Sequence, residues 1–469
     1  MSPVITLILG IGGVFFLLYL LFYASYLFLS VAMGAWRLYQ QDKMRSINNE
    51  LRHDYYFPIS ILVPAYNEEV TIVEGIESLL KLDYRLFEIV VVDDGSKDQT
   101  SQVLIDHFHM HETSEPIRLT LATQPIEAIY KAPNTRVNVT LIRKKNGGKS
   151  DALNVGINAS KFPYFICMDA DSMLQSDSLE RIVQPAMEED NVVAVGGLVR
   201  ISQCIDLEEE HGVYRYHLPW NMLVGMQVLE YDRSFLASRI LLDSFNGNLI
   251  VSGAFGLFRK DVVVAAGGYA TDTVGEDMEL IMKLHTYCRN NMERYSIRYE
   301  PNAVCWSQAP FSMKDLMKQR MRWHTGLMEC MTRYSFIFGK QRYGFMGTVS
   351  YLYYLLYELW SPVIELFGML ITLLALWAGL LSLHFAVRFY LLFALYGAIL
   401  TITAFFQRIY TQKLTVSRTD VLRACFMCVV ENVFFRFVMD YVRLIAMLKY
   451  RRGKSTWGRI ERKKHNERA

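Results

Sequence analysis

Five short stretches hold residues whose types and spacing suit chemistry on an anionic substrate. Asp93-Asp94-Gly95-Ser96 and Asp169-Ala170-Asp171 each follow an apolar run, Glu88–Val92 and Tyr164–Met168. Carboxylates in such a place are unfavourable unless they hold a cation or hydrogen-bond donors. Asp171, with Asp169 beside it, offers hard oxygen ligands that suit Mg²⁺ or Mn²⁺, ions that in turn bridge phosphates. Either motif alone is also a common turn or helix cap. Asn146-Gly147-Gly148-Lys149 precedes a helix-like segment. Its glycines admit backbone N–H groups close to a phosphate, the helix N-terminus favours anions, and Lys149 adds a charge. The spacing is not that of a Walker A loop. Gly275-Glu276-Asp277 presents two carboxylates, one of which can take a proton from a nucleophilic hydroxyl. The same pair also suits the first turn of a helix. Gln319-Arg320-Met321-Arg322-Trp323 joins a phosphate-binding guanidinium, Arg322, to an indole able to stack on a sugar face. An amphipathic interfacial helix favours the same two residue types.

These residues need a scaffold, and the pattern around them supplies one. Ile59–Val63, Glu88–Val92, Asn138–Ile142, Tyr164–Met168 and Val192–Val195 read as buried strands. Glu68–Leu82, Asp98–Met110, Lys149–Ser160 and Asp177–Met187 read as the helices between them. Such alternation predicts a parallel α/β sheet covered on both faces, with ligands beyond the carboxyl ends of the strands. Residues 111–136, with Pro116, Pro125 and Pro133, break the rhythm and read as a surface insertion.

Composition adds the membrane. The 469 residues are 52% hydrophobic and only 20% charged, with a formal charge of +2, which argues against a nucleic-acid partner. Residues 1–36 carry no charge, and Val4 to Met33 is one apolar run, longer than the ~20 residues a span needs. Arg37, Lys43 and Arg45 follow, so the N-terminus is expected outside and the chain beyond it in the cytoplasm. Pro362–Leu383 and Phe385–Phe406 read as two further spans joined by a tight outer hairpin, with Arg408, Lys413 and Arg418 in an inner loop. Val421–Leu448 contains Arg423, Glu431, Arg436, Asp440 and Arg443. Each such charge costs roughly 2.5–3.5 kcal/mol at a bilayer centre. An interfacial or re-entrant helix is therefore expected there, and a span with its charges turned toward other helices is the alternative. Tyr343–Trp360 reads as a second interfacial helix. The tail from Lys449 holds nine Lys/Arg and two Glu, and is placed inside. The expected organisation is a transmembrane helix over 1–36, a cytoplasmic catalytic unit over 50–325, a membrane region over 340–448 and a basic tail over 449–469. Seven cysteines without a repeated spacing point to a reducing compartment rather than a disulfide framework.

Taken together, the set resembles the membrane-embedded processive family-2 glycosyltransferases, which include cellulose, hyaluronan, chitin-oligosaccharide and poly-N-acetylglucosamine synthases. Val63-Pro64-Ala65-Tyr66-Asn67-Glu68, Asp93-Asp94-Gly95-Ser96, Gly148-Lys149, Asp169-Ala170-Asp171, Ser252-Gly253-Ala254, Gly275-Glu276-Asp277 and Gln319-x-x-Arg322-Trp323 occur in the family order over about residues 58–325. The resemblance implies an α/β GT-A-type nucleotide-sugar-binding domain with a mixed, mostly parallel sheet, plus transmembrane and interfacial helices. It implies that Pro64, Tyr66, Glu68 and Asp94 meet the uridine of a UDP-sugar donor. Lys149 would touch the diphosphate, Asp169 the nucleotide, and Asp171 the Mg²⁺ or Mn²⁺. Asp277, with Glu276 beside it, would be the catalytic base. Ser252 and Gly253 would cradle the acceptor end, and Gln319, Arg322 and Trp323 would frame the acceptor and the leaving diphosphate. The implied reaction is inverting transfer, with UDP-GlcNAc the preferred donor. It would extend a growing β-linked glycan and extrude it across the cell membrane. The interfacial helices, an accessory subunit or a second copy would complete the channel. The alternative is transfer of a single sugar to a lipid.

Overall fold

The computed structural model describes residues 3–48, 57–133, 135–210, 213–292, 294–411 and 414–450. The basic tail beyond Tyr450 and Lys413 lie outside them. A ten-stranded sheet organises the catalytic unit. Its strands are β1 (Ile59–Ala65), β2 (Phe87–Asp93), β3 (His111–Glu112), β4 (Ile126–Lys131), β5 (Asn138–Lys144), β6 (Tyr164–Met168), β7 (Met173–Leu174), β8 (Val192–Ile201), β11 (Phe255–Arg259) and β12 (Ser296–Ser307), and β9 (Ile205–Glu210) pairs with β10 (Val213–Tyr216) in a separate hairpin. The order is β3-β4-β5-β2-β1-β6-β11-β8-β12-β7. β5, β2, β1 and β6 run parallel, while β11 lies antiparallel between β6 and β8. The sheet is thus mixed and mostly parallel in its centre, as expected.

The apolar runs explain the strands. β1 and β2 are buried nearly throughout, which a strand covered on both faces requires. Successive side chains alternate between faces: Ile61 and Val63 join one core, Leu62 the other. The intervening helices are α2 (Ile72–Leu80), α3 (Thr100–His107), α4 (Lys149–Ala159) and α5 (Ser178–Glu188), following the N-terminal α1 (Pro3–Asn48). α2 starts four residues later than expected. Asn67 is left-handed at φ 57°, and the Glu68 carbonyl accepts the Thr71 and Ile72 N–H groups in a turn that delays the helix. α3 is likewise shortened, because Asp98 accepts the Thr100 N–H at 3.0 Å and caps the turn.

The expected surface insertion over 111–136 is part of the sheet. β4 pairs antiparallel with β5, and β3 with β4, so the segment forms one edge. Its prolines bracket the strands rather than interrupt them. Leu121, between the two strands, is buried and held by Asn158 near the end of α4, which accepts the Leu121 N–H and donates to its carbonyl.

After β10 come α6 (Met222–Arg233), α7 (Arg239–Asp243), α8 (Lys260–Ala265), α9 (Glu276–Asn291) and α10 (Met313–Arg333). Among the described residues, two helices are long and apolar enough to cross a membrane, Thr6–Gln40 and Leu383–Tyr410. The expected span over 362–383 is instead a 17-residue helix, Ser361–Trp377. It reaches spanning length only together with Met346–Leu359, from which it bends by 60°. Arg408, expected in a loop, lies inside the helix Leu383–Thr411, fully buried and paired with Asp232 of α6 at 2.9 Å. A long apolar helix can hold an arginine there because the catalytic unit supplies its partner. The charged stretch after Arg418 is also helical, and its charges point inward. Glu431 meets Arg233 at 2.8 Å, and Arg436 forks onto Glu365. All seven cysteines are free.

Candidate active site

At the carboxyl ends of the central strands, two loops are laced together. The Asn67 N–H donates to Ser96 Oγ at 3.0 Å, and the Glu68 N–H to Thr100 Oγ1 at 2.8 Å. Pro64, Tyr66 and Glu68 thereby sit beside the end of β2, with Tyr66 exposed and the Glu68 carboxylate accepting from Thr71 Oγ1 at 2.8 Å. Asp94 is buried and turned toward the glycine loop. It accepts from Asn146 Nδ2 at 3.0 Å, from the Gly147 N–H at 2.9 Å and from the Gly148 N–H at 2.7 Å, and it pairs with Lys144. Lys144 is wholly enclosed and also pairs with Asp151 at 2.7 Å. Burial pushes the Asp94 carboxyl up, while Lys144 and the two glycine N–H groups draw it back. Asp94 thus shapes the loop that delivers Lys149.

Gly148 stands immediately before α4 at φ 91°, a conformation that favours glycine, and this starts the helix with Lys149 in its first turn. Lys149 Nζ reaches Asp169 Oδ1 at 2.5 Å and Glu276 Oε1 at 3.8 Å. Burial works to lower the Lys149 ammonium, but Asp169 and Glu276 outweigh it and hold the group above its ordinary value. Burial also raises Glu276, with the Asp277 charge adding to it and Lys149 opposing. Asp277 accepts the Gly253 N–H at 3.4 Å through one oxygen and the Met278 N–H at 2.9 Å through the other. Gly253 fits between the two charged groups: a Cβ there would lie 3.4 Å from Lys149 Nζ and 3.5 Å from Asp277 Cβ. Ser252 precedes it and receives the Ala254 N–H on its hydroxyl at 3.4 Å.

The segment containing Gln319, Arg322 and Trp323 arrives on α10. The N-terminus of α9 rests directly on that helix, backbone to backbone. A Cβ on Gly275 would come 2.8 Å from Gly326 Cα, and one on Gly326 would come 2.7 Å from Gly275 Cα. Only glycine at both positions permits this approach, which brings Asp277 and Trp323 to one wall. Arg322 contributes to the electrostatics of both Lys149 and Glu276. Trp323 is 41% exposed, with the Arg320 guanidinium 4.7 Å from its ring centroid and the Tyr231 ring 6.4 Å away. Arg320 is itself fixed by a two-pronged bond to Glu230 at 2.7 and 2.6 Å.

One cavity of about 1730 Å³ gathers all fourteen sequence-predicted residues. Pro64, Tyr66, Glu68, Asp94, Lys149, Asp169 and Asp171 line it from the sheet side, and Ser252, Gly253, Glu276, Asp277, Gln319, Arg322 and Trp323 from the other. It continues between α1 and the C-terminal helices, where Tyr23, Glu365 and Arg436 line it. Sequence reading missed Lys144, Asp151, Glu230 and Gly326. Lys144 has a faint signal, a lysine at the end of a strand whose register runs beside Asp93; the other three have none. Among the described residues, no group of three or more His, Cys, Asp or Glu forms a metal cage. The Asp169–Asp171 pair still fits a hard cation. Mg²⁺ typically takes one or two carboxylates and completes its shell with phosphate and water.

Comparison with known proteins agrees with this geometry. Residues 60–264 match the model of Glycosyl transferase family 2, and residues 164–407, more than half the chain, match that of Glycosyl transferase family group 2. A poly-beta-1,6-N-acetyl-D-glucosamine synthase of Staphylococcus aureus strain COL is 28% identical over 321 residues, which cover 67% of this chain and 66% of that protein. The synthase of Staphylococcus epidermidis matches with the same identity and extent. Among solved structures, a mannosyltransferase from Pyrobaculum calidifontis in complex with GDP-Man and Mn²⁺ shares the fold, with TM-score 0.50 and 18% identity over 88% of this chain and 98% of that one. A GT-A-type sheet, the ordered motifs at its strand ends and the family match over more than half the chain lead to one conclusion: the protein belongs to the family-2 glycosyltransferases.

Proposed function

We propose that the chain polymerises a β-linked glycan from UDP-GlcNAc and passes the product into the membrane along the cavity. The observation that carries this reading is the continuity of that cavity, from Lys149 and Asp277 past Trp323 to Tyr23 and Arg436 among the apolar helices. The poly-beta-1,6-N-acetyl-D-glucosamine synthases among its relatives support the choice of sugar.

In this reading, Lys149 and Arg322 bind the donor diphosphate at the N-terminus of α4. The acceptor hydroxyl attacks C1 of the sugar and hands its proton to Asp277, while the bond from C1 to the diphosphate oxygen breaks. Attack opposite an α-linked leaving group gives a β-linkage. UDP gathers negative charge as it leaves, and Lys149 and Arg322 stabilise it. Asp171, with Asp169, would hold Mg²⁺ or Mn²⁺, which neutralises charge on the same diphosphate; the Mn²⁺ of the archaeal neighbour supports this. Glu276 keeps Lys149 charged and in place. Trp323, braced by Arg320, offers its exposed face to the acceptor sugar. Arg37, Lys43 and Arg45, in the C-terminal part of α1, support an outer N-terminus and a cytoplasmic catalytic unit.

Leu27, Phe393 and Phe435, which line the cavity among the apolar helices, also suit a lipid acceptor, and a donor screen separates the two readings. Purified full chain in nanodiscs would receive Mg²⁺ or Mn²⁺ with UDP-GlcNAc, UDP-glucose, UDP-glucuronate or UDP-galactose. UDP release would be followed and the products sized. A long homopolymer from UDP-GlcNAc is the expected result. One sugar per added lipid would overturn it in favour of single transfer.

A further inference from the structure

The loop that leads into Glu276 and Asp277 is held by a carboxylate from another helix. α9 begins at Glu276, and its cap residue is Gly275, which has no side chain to hydrogen-bond the backbone there. Glu329 of α10 reaches across instead. Its Oε2 accepts the Thr273 hydroxyl at 2.7 Å and the Val274 N–H at 3.1 Å. Thr273 Oγ1 in turn accepts the Gly275 N–H at 3.1 Å, so the polar groups of the loop run in series to one carboxylate. Arg333, one turn further along α10, pairs with Asp272 of the same loop at 2.7 Å. Arg322, Gly326, Glu329 and Arg333 follow one another at the three- and four-residue intervals that define one face of a helix. That face carries the guanidinium that acts on Lys149 and Glu276, the glycine crossing and both ties to the loop. Thr271, Thr273 and Val274 line the active-site cavity, so the loop held in this way is part of its wall.

We propose that Glu329 is a positioning residue for the transfer step, setting through Thr273 where the Asp277 carboxylate meets the acceptor hydroxyl. The assignment rests on the reading of Asp277 as the base. Asp277 accepts backbone N–H groups on both oxygens, from Gly253 at 3.4 Å and Met278 at 2.9 Å, so its direction follows the backbone that carries it. That backbone starts in the loop that Glu329 holds. The proton goes to Asp277; Glu329 only fixes the place where it is received. Both groups that Glu329 accepts from in this loop, a hydroxyl and an amide N–H, are neutral donors. An uncharged carbonyl oxygen at the same point can therefore replace the carboxylate.

The test uses the full chain in nanodiscs with UDP-GlcNAc, following UDP release, and calorimetry with UDP. Misplacing a reacting group by about 1 Å can cost ~10²-fold in rate. Glu329→Ala is accordingly expected to lower kcat by about ten- to a hundredfold, with the donor KM and the UDP affinity within about twofold of wild type. Glu329→Gln, which keeps an oxygen acceptor, should recover most of the rate. Thr273→Val, which removes the linking hydroxyl, should lose a similar factor, and Thr273→Ser should restore it. The double variant Glu329→Ala with Thr273→Val should be no slower than about twofold below the slower single one, since the two act in one series. Wild-type kcat in Glu329→Ala overturns the proposal. So do additive losses in the double variant, a rate that neither Gln nor Ser restores, or kcat and UDP affinity falling together, which is the mark of a damaged fold or nucleotide site. If Glu329→Ala does not fold, Thr273→Val carries the same expectations. Turnover retained in Asp277→Asn would remove the base itself, and is read without any Glu329 variant.

Discussion

Two buried charge clusters flank the glycine loop, and they differ in how completely they are closed. In the first, Asp94 receives Lys144, Asn146 and two backbone N–H groups, and Lys144 is fully enclosed. These donors match the roughly four lone-pair sites of a carboxylate. In the second, Lys149 bridges Asp169 and Glu276, but the Asp169 side chain is 30% exposed to the cavity. The first cluster is finished by folding alone. The second sets one ammonium between two carboxylates and is open on one side, where a ligand can join it. Neighbouring residues of the same types thus differ: one set builds the loop, and the other is, in the proposed reading, where the donor diphosphate binds.

The comparison breaks most visibly at the open cluster's far wall. Asp277→Asn should lower turnover by about 10³-fold or more, at the upper part of the range for losing a general base. UDP binding by calorimetry should stay near wild type. A variant that keeps its turnover would move the base elsewhere.

Exchanging the two carboxylates' fates sharpens the contrast. Asp94→Ala strands part of a buried ion network and should cost roughly 3 kcal/mol or more of stability. Asp169→Asn should change stability by less than about 1 kcal/mol, since its partner keeps Glu276 and its own site is partly solvated. It should instead raise the donor KM. Thermal midpoints and kinetics on both proteins decide the matter, and equal melting losses would erase the distinction.

Acid should act on a third, closed group. His285 of α9 is fully buried between the Tyr295 hydroxyl at 2.8 Å and the Asn248 carbonyl at 2.9 Å, and burial pulls it down to about 4. The unfolded chain, with an ordinary histidine near 6.5, binds the proton first. The stabilising contribution is therefore present above pH 6.5 and lost as pH falls toward 4, by about 3 kcal/mol. His324 adds a contribution of the same sign. His285→Gln should flatten the melting profile between pH 6.5 and 4, and an unchanged slope would refute this assignment. Buried Glu276 acts in the opposite sense: its raised carboxyl favours the fold below the ordinary glutamate value, an advantage lost as pH rises through the folded one.

A more modest loss than that at Asp94 is expected at the glycine crossing. Gly326→Ala adds a methyl 2.7 Å from Gly275 Cα and should cost about 1–3 kcal/mol. It should reduce turnover more than donor affinity, because it shifts Asp277 relative to Trp323. An intact rate at full stability would show that the two helices need no such closeness.

Much of this was legible in the sequence because the residues sit where periodicity changes. Asp94, Asp169 and Asp171 end apolar runs, Lys149 starts a helix after paired glycines, and Asp277 opens another. Such boundaries are local and survive in one dimension. Asp151 and Glu230 were not legible, and Lys144 only faintly, since a buried charge is recognised mainly by the partner brought to it from elsewhere in the chain. The same reasoning hid Arg408, which reads as a loop charge until Asp232 is seen against it. The strand β4 was masked by prolines that lie just outside its ends. The bend before Ser361 depends on how that helix meets its neighbours, which hydropathy does not record.

The meeting of Gly275 and Gly326 has a consequence for how the chain can vary. The spacing between the base and the indole is set at that crossing, by two absent side chains, and owes nothing to the length of backbone between them. The segment after β12 is itself tied down, by Gln203 at Ala309 and by Gln227 at Pro310. A side chain on either glycine would part the two helices whatever that segment did, so the two positions should tolerate no variation.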